Sequence, residues 1–187
     1  MKKLIALAML AAIAAPVFAQ EAQTGGEDAV APRTDRKPSD PWPAFFALCE
    51  LPDASDIVGL RLTIPYSSHH ANVTGLDLGF WGKSHYFEGI QVNIIRSDVR
   101  DNLSGFQVGI YNSAGSADPF GVQVGFWNES NSIRGIQAGL VNVSGETEGL
   151  QFGLINRSET MYGYQIGLIN IIREAEFKFF PIVNIGF

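Results

Sequence analysis

The chain is nearly without cysteine, is poor in charge and has no long apolar run past its first residues. Cys49 is the single cysteine among 187 residues, which excludes an internal disulfide framework and any multi-cysteine metal site. Charged residues make up 17%, and the formal net charge is −6. Such a chain lacks the basic footprint that nucleic-acid binding needs. No later stretch approaches 18 consecutive apolar residues, so residues 20–187 hold no candidate spanning helix. A Gly-rich phosphate loop, a carboxylate pair at fixed spacing and a Ser/His/Asp arrangement are all missing. Gly-x-Gln-x-Gly resembles a nucleotide fingerprint only superficially, because its glycines fall inside strand patterns and not at a strand–helix turn. What is plentiful is glycine (20), phenylalanine (13) and hydrophobic residues (46%). That composition is too apolar for a disordered chain and too polar for a helical membrane bundle.

Residues 1–19 read as a secretory signal peptide. Lys2 and Lys3 precede an apolar run from Leu4 to about Ala15, and Val17 and Ala19 occupy −3 and −1 of a cut before Gln20. Cleavage there leaves a charge of −8. Residues 20–43, rich in Pro, Gly and charge, read as a disordered linker.

From residue 44 to residue 187 a repeat dominates. The unit is G-h-Q-h-G-h-h-N, where h is apolar. Copies begin at Gly59, Gly75, Gly89, Gly105, Gly121, Gly135, Gly149 and Gly163, and 14 of the 20 glycines fall on the two Gly positions. Apolar residues at the second, fourth and sixth positions (Leu150, Phe152, Leu154) alternate with Gly, Gln, Gly, which is the period of a β-strand. Four to six polar, turn-forming residues separate the copies: SAGSAD, ESNS, VSGE, RSET. Copy spacings are 16, 14, 16, 16, 14, 14 and 14; even numbers keep the apolar set on one face. Each copy thus reads as one strand of about nine residues and one tight turn. Two flanking segments, Ala44 to Glu50 and Phe177 to Phe187, bring the expected number of strands to ten.

The GLQxGLxN copies, the stretch from Ile57 to Tyr66, the NVTGLDLGF block and the FPIVNIGF ending resemble a family of uncharacterised bacterial surface-repeat proteins. The resemblance implies a cell-surface setting and no particular activity. Asn93 in place of the second Gly, Asp77 in place of Gln, and Arg61 with Thr63 in the first copy depart from the pattern.

Three all-β architectures fit the pattern. The leading one is a tandem-repeat antiparallel meander closed into a ten-stranded outer-membrane-type β-barrel. Short turns, an even strand count and dyad alternation favour it, and Phe179, Val183, Ile185 and Phe187 resemble the C-terminal signal of outer-membrane barrel assembly. Trp81, Tyr111 and Trp127 would supply aromatic girdles. Its strands reach only about 21 Å when tilted, against a ~25 Å apolar band. A β-solenoid is the alternative, because identical Gln and Asn at fixed positions suit stacked ladders. The polar connectors speak against it. A soluble exported sandwich or meander, with the apolar stripe at a dry interface, is the third.

Little else points to chemistry. Adjacent His69 and His70 would point oppositely on an extended segment, so with His85 they make a weak metal set. Cys49 reads as a buried free thiol. The column Gln91, Gln107, Gln123, Gln137, Gln151 and Gln165 reads as a hydrogen-bonded ladder or, in a barrel, a polar pore lining. The expectation is a non-enzymatic exported surface or outer-membrane β-repeat protein, structural, adhesive or a small pore. It needs no cofactor; its partners are the outer membrane with its barrel-assembly machinery, and a surface partner the sequence does not name. The alternative is a soluble periplasmic binding module.

Overall fold

The computed structural model describes residues 44–48, 56–67 and 71–187, which belong to one compact unit, Lys37–Phe187. The expected signal peptide (1–19) and linker (20–43), and with them Cys49, His69 and His70, lie outside the described residues. Among the described residues the chain is all strand, turn and bend. The strands are β1 (Ala44–Leu48), β2 (Asp56–Thr63), β3 (Asn72–Phe152), β4 (Ile155–Ile172) and β5 (Phe179–Gly186).

Strands β1 to β4 pair in parallel, each with the next. Gly59 lies beside Gly75 and Arg61 beside Asp77 in one pair; Gly149 lies beside Gly163 and Gln151 beside Gln165 in another. Equivalent repeat positions are therefore neighbours. Parallel neighbours need a return path between them, and here the chain returns by coiling. The architecture is a β-solenoid of about seven turns. Its 81-residue β3 winds through several of them.

The barrel expectation is corrected here, and with it the antiparallel meander. The strand order is β1-β2-β3-β4-β5. The last strand pairs antiparallel with β4 and not with β1. The reason lies in the connectors, which are second walls of the coil and not loops. After Gly139, two successive residues, Leu140 and Val141, face outward, which marks a corner. Beyond it Asn142, Ser144 and Thr147 point inward and are buried. A polar connector fits because the interior it faces is itself polar.

Apolar burial sits in one inward column two residues before most of the repeat glycines: Ile57, Val73, Phe87, Leu103, Ile133 and Met161. Just past it the backbone must turn while lying flat on the turn below. Gly149 does this at φ 141°, and a Cβ placed on it would overlap the carbonyl oxygen of Gly135. That φ region is closed to residues with a side chain. At the C-terminal end, β5 lies along β4 and covers an edge that would otherwise template further pairing.

The natural turns come in 14 and 16 residues, so a connector accepts a pair of extra residues. One inserted residue between Glu159 and Thr160 would instead turn Met161, 3% exposed, toward solvent. Losing that burial costs about 2 kcal/mol, or about 4–8 °C in a domain of this size. Circular-dichroism melts should show the one-residue insertion below the two-residue insertion; equal melts would contradict the stacked register.

Candidate functional site

The glutamine column is a continuous hydrogen-bonded ladder. Gln91, Gln107, Gln123, Gln137, Gln151 and Gln165 are all 0% exposed. Each Nε2 from Gln107 onward donates to the Oε1 of the glutamine one turn earlier, at 3.0, 2.9, 2.8, 2.7 and 2.8 Å. The same Nε2 reaches across the turn to a carbonyl six residues on: Ser113 for Gln107, Glu129 for Gln123, Ile171 for Gln165. The amides are thus engaged with one another and with backbone.

A second ladder, of asparagines, runs the opposite way. Asn112, Asn128, Asn142 and Asn156 each donate Nδ2 to the Oδ1 of the asparagine in the following turn, all at 2.8 Å, and the column ends at Asn170. Each of the four also donates to a backbone carbonyl in that following turn: Val124, Ala138, Phe152 and Ile166. One column aims its N–H groups at the start of the chain and the other aims them at its end, so the two rows of amide dipoles oppose. The asparagines close the G-h-Q-h-G-h-h-N unit, and with the glutamines they made stacked ladders an option in the sequence, though no site role was read for them. Their fixed place in five successive copies was the available signal.

The departures from the repeat are one device at the N-terminal end. Asp77 stands where a glutamine would. Its Oδ2 accepts from Gln91 Nε2 (2.7 Å) and Asn93 Nδ2 (3.2 Å) on one side and from Arg61 Nη2 (2.7 Å) on the other. The glutamine column delivers donors, and a guanidinium is only a donor, so the residue between them must be an acceptor; a carboxylate is. Arg61 and Asp77 are both buried, at 1% and 0%, and Arg61 Nη1 also donates to the Lys83 carbonyl. Asn93 occupies a glycine position because Gly82 occupies an asparagine position. A Cβ on Gly82 would collide with Asn93 Nδ2 and Asp77 Oδ2. Thr63 Oγ1 donates to Asn93 Oδ1 at 2.7 Å.

The apolar stripe faces outward. Positions two, four and six of the eight copies contain no charged residue. Ile90, Phe106, Val124, Phe126, Phe152 and Leu154 are among their exposed members. The end strands extend the stripe: Phe46 pairs with Leu60 and Leu48 with Leu62, while Ile185 pairs with Tyr164 and Val183 with Ile166. Of the residues read as a barrel-assembly signal, Val183 and Ile185 therefore continue this face, Phe179 pairs with Ile171, and Phe187 follows β5 as the most exposed of the four.

Trp81, Tyr111 and Trp127 share one repeat position at the corner, a single column and not two girdles. Arg96 lies over the Trp81 and Tyr111 rings, 5.8 and 4.6 Å from their centroids, and pairs with Asp98 at 3.1 Å. The Tyr111 hydroxyl donates to Glu129. Burial, then that hydrogen bond, hold its phenol well above the ordinary range. The unfolded chain ionises near pH 10 while the folded chain does not, so this stabilisation is whole below pH 10 and declines as pH rises past it. Tyr111→Phe is expected to cost about 1 kcal/mol at pH 7 and to flatten the loss of stability above pH 10, read by denaturant melts at both pH values.

On the connector wall, Arg134 bridges Asp118 (2.9 Å) and Glu148 (2.7 Å) in neighbouring turns. His85 faces Asp101 at 3.1 Å. Among the described residues no three His, Cys, Asp or Glu side chains converge as a metal site would require. Comparison with family models, with curated proteins and with solved structures returned no match.

Proposed function

We propose that the chain is a non-enzymatic, exported β-repeat protein with a structural or adhesive role at the bacterial surface. The observation that carries this reading is the outward stripe: an uncharged apolar face held flat by two amide ladders. The two amide columns face inward, the Arg134 ion pairs lie on the connector wall, and the apolar stripe is left as a separate uncharged outward face. A binding module presenting its glutamines to a ligand would need them at the surface, and they are fully buried. The surface setting rests on the signal-type N-terminus and on the resemblance of the GLQxGLxN copies to bacterial surface-repeat proteins. Two measurements test it. N-terminal sequencing of exported material should begin at or near Gln20; Met1 would remove the argument for export. Labelling of intact cells with a membrane-impermeant reagent should reach the chain, and release with the soluble periplasmic fraction would replace the surface reading with the periplasmic one.

A further inference from the structure

We propose that the apolar face packs against the same face of a second copy of this chain, making a two-layer sandwich of two solenoids. The inference stands on the face alone and does not depend on where the protein resides.

The face is large, and it matches what a dimer needs. The strands of the eight repeat copies, with β1 and β5 beside the first and the last of them, give ten rows. Rows lie ~4.8 Å apart, and the outer columns are ~13 Å apart, so with side-chain width the face covers about 800 Å². An ordinary soluble monomer exposes patches of about 300–600 Å² at most. A stable interface of standard size uses about 800 Å² from each partner. The face also has the relief of a sandwich layer. Its central column is low in the middle, at Val92, Val108, Val124 and Ala138. The columns beside it carry bulk there, including Phe106 and Phe126. A two-fold axis lying in the interface, offset from the trough by half a column spacing, sets one ridge of each copy in the other's trough, the interdigitation of packed sheets ~10 Å apart.

Charge favours a second copy over a lipid surface. A helix or sheet that lies on a membrane uses a basic rim to hold phosphate headgroups. The chain is acidic overall, at −6. At the corner beside the face, Lys83 and Arg96 lie over the rings of Trp81 and of its neighbours Tyr66 and Tyr111, and Arg96 is paired with Asp98. Nothing charged sits within the face to oppose a copy of itself.

The test is the mass of the purified full chain by light scattering between 1 and 100 µM (roughly, spanning a standard interface's affinity). The expected result is a dimer, with Val124→Lys weakening the association at least about 100-fold, because a lysine at the centre would be buried against apolar side chains with no counter-charge. Val124 is exposed in the single copy, so the variant should keep its circular-dichroism spectrum and melt; Ala138→Lys serves if it does not. Ser132→Lys, on the connector wall, should leave the dimer intact. These variants leave residues 1–43 untouched, so association that survives Val124→Lys and Ala138→Lys would run through another surface and overturn the proposal. A wild-type monomer at 100 µM would overturn it too. A monomer that binds phosphatidylcholine vesicles, and loses them with Val124→Lys, would assign the face to lipid.

Discussion

Replacing Asp77 by alanine is expected to release the first turns of the coil while the rest stays folded. The substitution leaves Arg61 buried at 1% exposure without its carboxylate and leaves Gln91 and Asn93 without their acceptor. Stranding one partner of a buried pair costs about 3–5 kcal/mol. A terminal turn of a repeat array has a neighbour on one side only, and at ~0.05–0.15 kcal/mol per residue its 16 residues hold about 1–2 kcal/mol of net stability. The penalty exceeds what the end turn holds, so β1 and β2 should detach and bring Arg61 back to water. Hydrogen exchange should show Asp56–Thr63 losing protection, with Ile155–Ile172 unchanged. Arg61→Gln should do much the same from the other side, leaving a carboxylate buried without its cation. The double variant Arg61→Gln/Asp77→Gln should recover most of the loss, because two glutamines there extend the existing ladder by two steps, each amide donating toward the N-terminus as its neighbours do. A double variant no better than the single ones would show that the pair does more than terminate a column of donors.

The strand period, the repeat boundaries and the sharing of one face by the glutamines were legible in the residues. Alternation reports which side chains share a face, and that is the same in a barrel and in a solenoid: Gln and Gly one way, Leu and Phe the other. It does not report whether neighbouring strands run parallel. Two details in the unit did carry that information. Leu154 and Ile155, consecutive and both apolar, break the alternation inside every ordinary copy, where a barrel strand would continue it; in the coil they flank a corner. Gln and Asn recur at identical positions in adjacent copies, and only in-register parallel stacking sets like against like, Gln151 on Gln165 and Asn142 on Asn156. The connectors misled because Asn, Ser and Thr are the residues of turns as well. Whether Ser144 is a turn residue or a buried wall depends on what it faces, and it faces Gln151 Nε2 at 3.0 Å. The Arg61–Asp77 pair was visible only as two deviations. Their cooperation depends on a stacking distance that sequence separation alone does not give.

Breaking the glutamine column in its middle is expected to cost about 3 kcal/mol, and the sign of its pH dependence can be set in advance. Gln137 Nε2 donates to Gln123 Oε1 at 2.8 Å, and its own Oε1 accepts from Gln151 Nε2 at 2.7 Å. Gln137→Leu leaves Gln123 Oε1 without its donor and takes a donor from Ser130 Oγ and from the Val143 carbonyl, in a site with no access to water, while Gln151 Nε2 keeps Ser144 Oγ and the Arg157 carbonyl. Each orphaned group costs about 1–3 kcal/mol, and the added apolar burial returns about 1–2 kcal/mol. Unlike the end turn, this turn has neighbours on both sides and cannot fray away, so the loss should appear in the main melting transition. Gln137→Glu separates the hydrogen bonds from the shape. A protonated glutamic acid donates to Gln123 and accepts from Gln151, as the amide does; an ionised one sets a carboxylate against the Gln123 oxygen, buried and without a cation. The folded state therefore prefers the neutral form and raises the carboxyl above its unfolded value of about 4.3. Stability relative to wild type is then fully present below pH 4 and declines as pH rises through the folded value. Denaturant melts of wild type, Gln137→Leu and Gln137→Glu at pH 4 and pH 7 would show it. Gln137→Glu should fall near wild type at the lower pH and at or below Gln137→Leu at the higher. A glutamate variant equally stable at both, measured against wild type, would mean that water reaches the column and that the ladder does not lie in a dry interior.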